Sequence, residues 1–154
     1  MRIYLFVTIL IFGCITIQAQ QRLQSDCSSA VPNRIAYKVG FLSHAVEDPN
    51  SLIVQISLKS RDFSRTSLLV LVRQLRKDYC NYEKLSVVFF DNPKLAKDPA
   101  RAMVALVESN QRIVLVRGFY NLDRRSGSEG LEFSTKRGNS TKEVTVGLKD
   151  GQPI

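Results

Sequence analysis

The sequence predicts an α/β domain built on a single mixed sheet of about six strands, with α+β as the alternative class. Apolar and polar residues alternate over residues 51–59, which is typical of a strand with one buried face. An apolar stripe at helical spacing then runs from Leu68 to Tyr79, and an almost unbroken apolar run covers residues 85–90. Strand, helix and strand in this order predict a βαβ unit with two parallel strands.

The N-terminal segment, residues 1–19, is expected to be a signal peptide. Arg2 provides a positive charge, residues 3–17 are mostly apolar, and Ala19 is a small residue suited to the position before a signal-peptidase cut. The apolar run is shorter than the roughly 20 residues that span a bilayer. The protein is therefore predicted to be secreted or periplasmic, without a membrane span in its mature form.

Two other ways of processing this leader stay open. Residues 11–14 resemble a bacterial lipobox that ends at Cys14, which would then carry a lipid anchor, although Phe12 departs from the usual small or aliphatic residue. An uncleaved anchor is the other alternative. For an exported chain, Asn139 also heads a glycosylation sequon, which matters only in a host that glycosylates.

Residues 20–32 are expected to form a polar N-terminal arm, and residues 33–150 a single domain. Cys27 lies in the arm and Cys80 just past the predicted helix, and an oxidising compartment favours a disulfide between them. Such a bond would pin the arm to the helix end and stabilise the domain by about 4 kcal/mol. Two unpaired thiols are the alternative.

The elements on either side of the βαβ unit follow from alternation and turn residues. Residues 35–41 alternate and predict a first strand, while residues 43–50 are rich in polar residues and predict a loop. Proline suits the first turn of a helix, so Asp98-Pro99 predicts a second helix over residues 99–109. A third strand is expected over residues 112–116, with a possible continuation to Leu122.

Alternation over residues 131–135 and 144–148 predicts an antiparallel meander that closes the sheet. The complete predicted order is β-βαβ-αβ-ββ. Right-handed crossovers would place both helices on one face of the sheet.

The sequence offers few residues for catalysis. His44 is the only histidine, and together with Glu47 and Asp48 it lacks the spacing of zinc ligands. The chain contains neither the nucleophile elbow of serine hydrolases nor a glycine-rich phosphate loop. We therefore predict no metal site and no cofactor, and catalysis would need a carboxylate pair that the sequence does not reveal.

The chain is basic. It has 22 Lys and Arg against 14 Asp and Glu, and loss of Arg2 with the leader would leave 21 − 14 = +7. Residues 117–120 resemble the start of an RNA-recognition motif, but Tyr120 breaks the pattern and export argues against RNA. We expect no nucleic acid and favour an anionic surface, a polysaccharide or a protein partner. A solvated basic face without a partner is the alternative.

Polar residues cluster where the predicted parallel strands end, which is where α/β sheets bind ligands. An anion-binding site is predicted there, with a polar cleft beside it. The anion site comprises Lys59, Arg61 and Arg117, and the cleft comprises Asp62, Asp91 and Asn92.

Two functions remain open. We expect an exported, non-enzymatic binding or accessory module with a basic surface. The alternative is a small secreted hydrolase that uses a carboxylate-based acid/base pair. A convergent pair of carboxylates in a deep pocket would favour the enzyme, whereas a shallow basic face or an exposed strand edge would favour the binding module.

Overall fold

A computed structural model of the 154-residue chain describes residues 26–98, 100, 116–137 and 140–154. The predicted leader with Cys14, almost all of the predicted second helix and most of the predicted third strand lie outside these residues, as does the turn at residues 138–139. Within the described residues, no helix is long and apolar enough to cross a membrane.

Seven strands of the described chain form one mixed sheet, and strands that are neighbours in space are also neighbours in the sequence. The prediction of a single mixed sheet is confirmed, with seven strands instead of six. The strands are β1 (Lys38–Ala45), β2 (Asp48–Ser57), β3 (Lys84–Phe90), β4 (Gly118–Asp123), β5 (Ser128–Arg137), β6 (Ser140–Lys149) and β7 (Gln152–Pro153).

The predicted βαβ unit is present. Helix α1 (Arg65–Asp78) connects β2 to β3, and these two strands are parallel, with Ser51 opposite Lys84 and Ser57 opposite Phe90. The hydroxyl of Ser64 accepts a hydrogen bond from the backbone N–H of Ser67 at 3.1 Å and so caps the first turn of α1. The other neighbouring strand pairs are antiparallel, and β4, β5 and β6 form the predicted meander.

The main hydrophobic core lies between α1 and one face of the sheet. Each side chain that is fully buried here contributes about 1.5–3 kcal/mol. The helix supplies Leu68, Leu71, Val72 and Leu75, and the sheet supplies alternate residues of β2 to β6, among them Leu52, Val54, Ile56, Leu85, Val87, Phe89, Tyr120, Leu122, Leu131, Phe133, Val146 and Leu148. The opposite face carries a smaller cluster of Val88, Phe90, Ala96, Val116 and Phe119.

The structure corrects two predictions at the start of the domain. Residues 43–50 do not form a loop, because β1 and β2 extend into them and meet at a tight turn of Val46 and Glu47. Residues 35–37 precede β1 and do not belong to a strand, since β1 begins at Lys38. The backbone N–H of Ile35 instead donates to Oε1 of Gln74 on α1 at 2.9 Å, and Nε2 of Gln74 donates to the Ile35 carbonyl at 3.2 Å.

The direction of the strand that follows β3 also differs from the parallel direction expected of a second α/β unit. β4 runs antiparallel to β3, with Leu85 opposite Leu122, so it begins at the edge of the sheet where β3 ends. A parallel neighbour would have had to begin at the opposite edge. The pair formed by β2 and β3 is thus the single parallel pair in the described part of the sheet.

The second face of the sheet is covered in part by the segment after β3, which contains the 3-10 turn Leu95–Lys97. Gln55 is 1% exposed and anchors this segment, since its side-chain nitrogen can donate to the carbonyls of Ala96 and Asp98 at 3.2 and 3.3 Å. The segment passes so close to β1 that a Cβ atom on Gly40 would lie 2.2 Å from the carbonyl oxygen of Ala96.

We expect Gly40→Ala to lower the free energy of unfolding by about 1–3 kcal/mol, because the added methyl would push the Ala96 turn off the sheet. Urea unfolding of the purified variant measures the loss. Gly130→Ala is the matched control, since a Cβ on Gly130 meets nothing within 4 Å. Equal losses for the two variants would show that the close contact at Gly40 does not matter.

Candidate functional site

The residues predicted to bind an anion lie around the edge of the sheet where β2 and β3 end and β4 begins. Backbone hydrogen bonds hold this edge together, from Leu58 N–H to the Phe90 carbonyl at 2.9 Å and from Arg117 N–H to the Phe89 carbonyl at 2.8 Å. Because β4 runs antiparallel to β3, it starts where β3 stops, and Arg117 therefore faces Asp91.

Arg117 is committed to partners within the protein. Its Nη1 donates to Asp91 Oδ2 at 2.6 Å, and its other nitrogens donate to the hydroxyl and the carbonyl of Ser134 at 3.3 and 3.2 Å. The guanidinium carbon lies 4.5 Å from the centre of the Phe63 ring. Only 6% of the side chain is exposed. The charges of Arg117 and Asp91 therefore compensate each other at this edge.

Asp91 and Lys59 both line an open groove of about 310 Å³, which we call the lysine groove. Its walls also include Lys38, and the complete lining is Ala36, Tyr37, Lys38, Ser57, Leu58, Lys59, Asp91 and Pro93. Lys38 and Lys59 are exposed, and neither forms an ion pair with any described residue. Since Arg117 compensates Asp91, these two lysines leave the groove with an uncompensated positive charge.

The other three predicted site residues lie near this edge but do not line the lysine groove. Arg61 has 77% of its side chain exposed, and its Nε lies 3.9 Å from Asp62 Oδ1. Asn92 shapes the following turn, because its Oδ1 accepts a hydrogen bond from the backbone N–H of Lys94 at 2.9 Å. Anion binding by Arg61 stays a prediction. Of the predicted anion-binding residues, Lys59 lines the groove.

Lys38 was missed by the sequence reasoning because its position depends on the register of a hairpin that was predicted as a loop. In that register Lys38 lies opposite Ser57, and so beside the end of β2 that leads to Lys59. The sequence gives no direct signal for this position, because the β1–β2 pairing contains two register shifts, and counting outward from the turn at Val46 and Glu47 would place Lys38 opposite Gln55.

A second polar cluster, the buried arginine network, was also not predicted. Asp26 accepts hydrogen bonds from Arg76 and from Arg124, and the shortest N···O distance to each arginine is 3.0 Å. Arg76 also donates to Glu129 at 2.7 Å, and Glu129 in turn accepts a hydrogen bond from the hydroxyl of Tyr120 at 2.7 Å. The arginine side chains are only 7% and 2% exposed, so their charges are compensated inside the protein.

The ionisation of this network is typical of a structural element. Burial and the neighbouring charge of Glu129 raise the pKa of Tyr120 well above its usual value, so the phenol remains a hydrogen-bond donor. Burial alone would lower the pKa of Arg76, but the charges of Glu129 and Asp26 outweigh it and the pKa is raised. Both groups therefore keep a single protonation state and offer no acid or base for catalysis near neutral pH.

The predicted disulfide between Cys27 and Cys80 is present, with Cα atoms 5.3 Å apart. It joins the residue after Asp26 to the segment just beyond α1, and therefore fixes the N-terminal arm next to the buried arginine network. A disulfide at this position is consistent with an oxidising extracellular or periplasmic location.

Carboxylates of the described residues do not form a catalytic pair in a deep pocket. Glu132 and Glu143 line one cavity on the second face of the sheet, but its volume is about 60 Å³, enough for a few water molecules. Small-molecule sites usually measure about 300–1,000 Å³. His44 is exposed and lies against the ring of Tyr82, and no group of three or more described His, Cys, Asp or Glu residues could hold a metal ion.

Comparisons of the chain with protein-family models, with curated proteins and with solved structures find no match. The function must therefore be argued from the geometry of the lysine groove and its surroundings.

Proposed function

We propose that the chain is an exported, non-catalytic binding module that holds a small anionic group in the lysine groove. The observation that carries the proposal is the pair of exposed lysines, Lys38 and Lys59, that line one groove without an acidic partner among the described residues. The basic composition and the predicted leader support an anionic partner outside the cytoplasm. An anionic surface, an acidic polysaccharide or a protein could present such a group.

The chemistry of lysine decides which ligands suit the groove. Each ammonium is a compact, strongly hydrated charge on a flexible stem, so it attracts phosphate, sulfate or carboxylate groups without fixing one geometry. An exposed ion pair is worth about 0.2–1 kcal/mol, so two of them give modest and salt-dependent binding. This strength suits a module that recognises a ligand reversibly.

The alternative, a carboxylate-based hydrolase, has less support. The strongly buried carboxylates Asp26 and Glu129 are bound to arginines. Glu132 and Glu143 share a cavity that is too small for a substrate. These four carboxylates are therefore unsuited to the acid/base pair that such a hydrolase needs.

Replacing Lys38 and Lys59 together by glutamine should weaken the binding of inorganic pyrophosphate by about twofold to thirtyfold, the range for two exposed ion pairs. Backbone amide chemical shifts measured during a pyrophosphate titration at low ionic strength report both the affinity and the location of binding. In the unmodified protein the largest shifts are expected in residues 36–38 and 57–59.

Lys142→Gln combined with Lys149→Gln is the matched control, because these exposed lysines lie on β6, away from the groove, and the same net charge is removed. The control variant should bind pyrophosphate as the unmodified protein does. If both double variants lose the same affinity, binding follows net charge alone, and the lysine groove is not the site.

A further inference from the structure

The lysine groove is not polar throughout, because most of the surface that lines it is apolar. Leu58 lines the groove although it is only 4% exposed, while Ala36 and Pro93 are exposed. At about 310 Å³ the groove is at the lower end of the range for small-molecule sites, so it suits a compact ligand.

Two polar side chains of the groove, Tyr37 and Asp91, already have partners within the protein. The hydroxyl of Tyr37 donates to Asp78 Oδ2 at 2.8 Å, and Asp78 does not line the groove. Burial and this hydrogen bond raise the pKa of Tyr37, so the phenol stays neutral. Asp91 is compensated by Arg117. The lysines therefore remain as the charged groups that a ligand can engage.

We infer that the ligand of the lysine groove is a small, soluble anionic amphiphile: one phosphate or carboxylate group attached to a short apolar chain or ring. This inference rests on the proposed function and adds the apolar part of the ligand to it. The anionic group would bind between Lys38 and Lys59, and the apolar part would cover the surface formed by Ala36, Leu58 and Pro93. A purely inorganic anion would leave that apolar surface in water, which forgoes the gain from burying it.

A series of alkyl phosphates tests the inference directly. Inorganic phosphate, methyl phosphate, butyl phosphate and hexyl phosphate are titrated as monomers by calorimetry at fixed pH and ionic strength. Each methylene that enters the groove should raise the affinity roughly fourfold. Affinity should then stop rising once the chain is longer than the groove.

The outcomes separate this inference from the proposed function. If all four phosphates bind with equal affinity through Lys38 and Lys59, the groove binds anions but the amphiphile is wrong. If none of them binds, the proposed function fails as well. Binding to phosphatidylglycerol vesicles that exceeds binding to monomeric hexyl phosphate would identify a membrane surface as the partner and overturn the inference.

Pro93→Ser tests the apolar surface without touching either lysine. Pro93 is exposed and lines the groove, so the variant should fold, and the ratio of its affinities for hexyl phosphate and inorganic phosphate should fall well below that of the unmodified protein. Pro49→Ser is its control, because Pro49 is also exposed but lies at the β1–β2 hairpin and does not line the groove. If lengthening the alkyl chain raises the affinity of both variants as much as that of the unmodified protein, the alkyl chain binds elsewhere.

Discussion

Asp26→Asn is expected to lower the free energy of unfolding by about 3–5 kcal/mol, because it removes the carboxylate that compensates two buried arginines. Asp26 lies 3.0 Å from nitrogen atoms of both Arg76 and Arg124. Arg76 would still have Glu129 at 2.7 Å, whereas the remaining hydrogen bonds of Arg124 within the described residues would end on backbone carbonyls. We therefore expect most of the loss to come from the uncompensated charge of Arg124.

Urea unfolding with the disulfide intact measures this loss, and Asp62→Asn provides the comparison. Asp62 lies 3.9 Å from an arginine that is 77% exposed, so its replacement should change stability by less than about 1 kcal/mol. Adding Arg124→Met to the Asp26→Asn variant should restore part of the loss, since it removes the uncompensated charge. Equal effects of the two single substitutions, or no recovery in the double variant, would contradict this account of the network.

The second large effect is expected from the disulfide. Cys27→Ser combined with Cys80→Ser should lower the free energy of unfolding by about 4 kcal/mol in the chain-entropy description of a loop this long. The two cysteines are 53 residues apart in the sequence. Without the bond, the arm that carries Asp26 would be held to α1 chiefly by its hydrogen bonds and ion pairs.

Asp26→Asn should therefore cost less in the serine background than in the disulfide-bonded protein, because the arm is already loosened there. Unfolding of the four combinations forms a double-mutant cycle, and we expect a coupling of about 0.5–3 kcal/mol between the two sites. Treatment of the unmodified protein with a reductant should reproduce the effect of the serine substitutions. Strictly additive losses would show that the network positions Asp26 without help from the disulfide.

Local patterns were sufficient to predict the centre of the fold. The alternation of β2, the apolar stripe of α1 and the apolar run of β3 each lie within one element. Each pattern shows directly which side chains of that element are buried. The β1–β2 hairpin was missed because Pro49 and Asn50 are typical turn residues, yet they belong to β2. They lie before the parallel pairing with β3, which begins at Ser51, so a proline there removes no hydrogen bond from that ladder.

Side-chain partners across the fold were harder to predict. Asp91 and Arg117 were expected at one edge because each would follow a parallel strand in the predicted fold. Arg117 instead directly precedes β4, and it lies beside Asp91 because β4 is antiparallel to β3. The buried arginine network gives no such signal. An arginine in a sequence usually indicates a surface position, and Asp26 and Arg124 are 98 residues apart. Their pairing follows from the three-dimensional fold alone.

The order of the strands has a consequence for folding kinetics. Every strand in the described part of the chain pairs with its neighbour in the sequence, so most of the sheet can form by closing short loops, which favours rapid folding. The contact between Asp26 and Arg124 closes a much longer loop and is expected to form after the rate-limiting step. Its loss would then mainly accelerate unfolding. The sheet would determine how quickly the protein folds, and the N-terminal arm how long it remains folded.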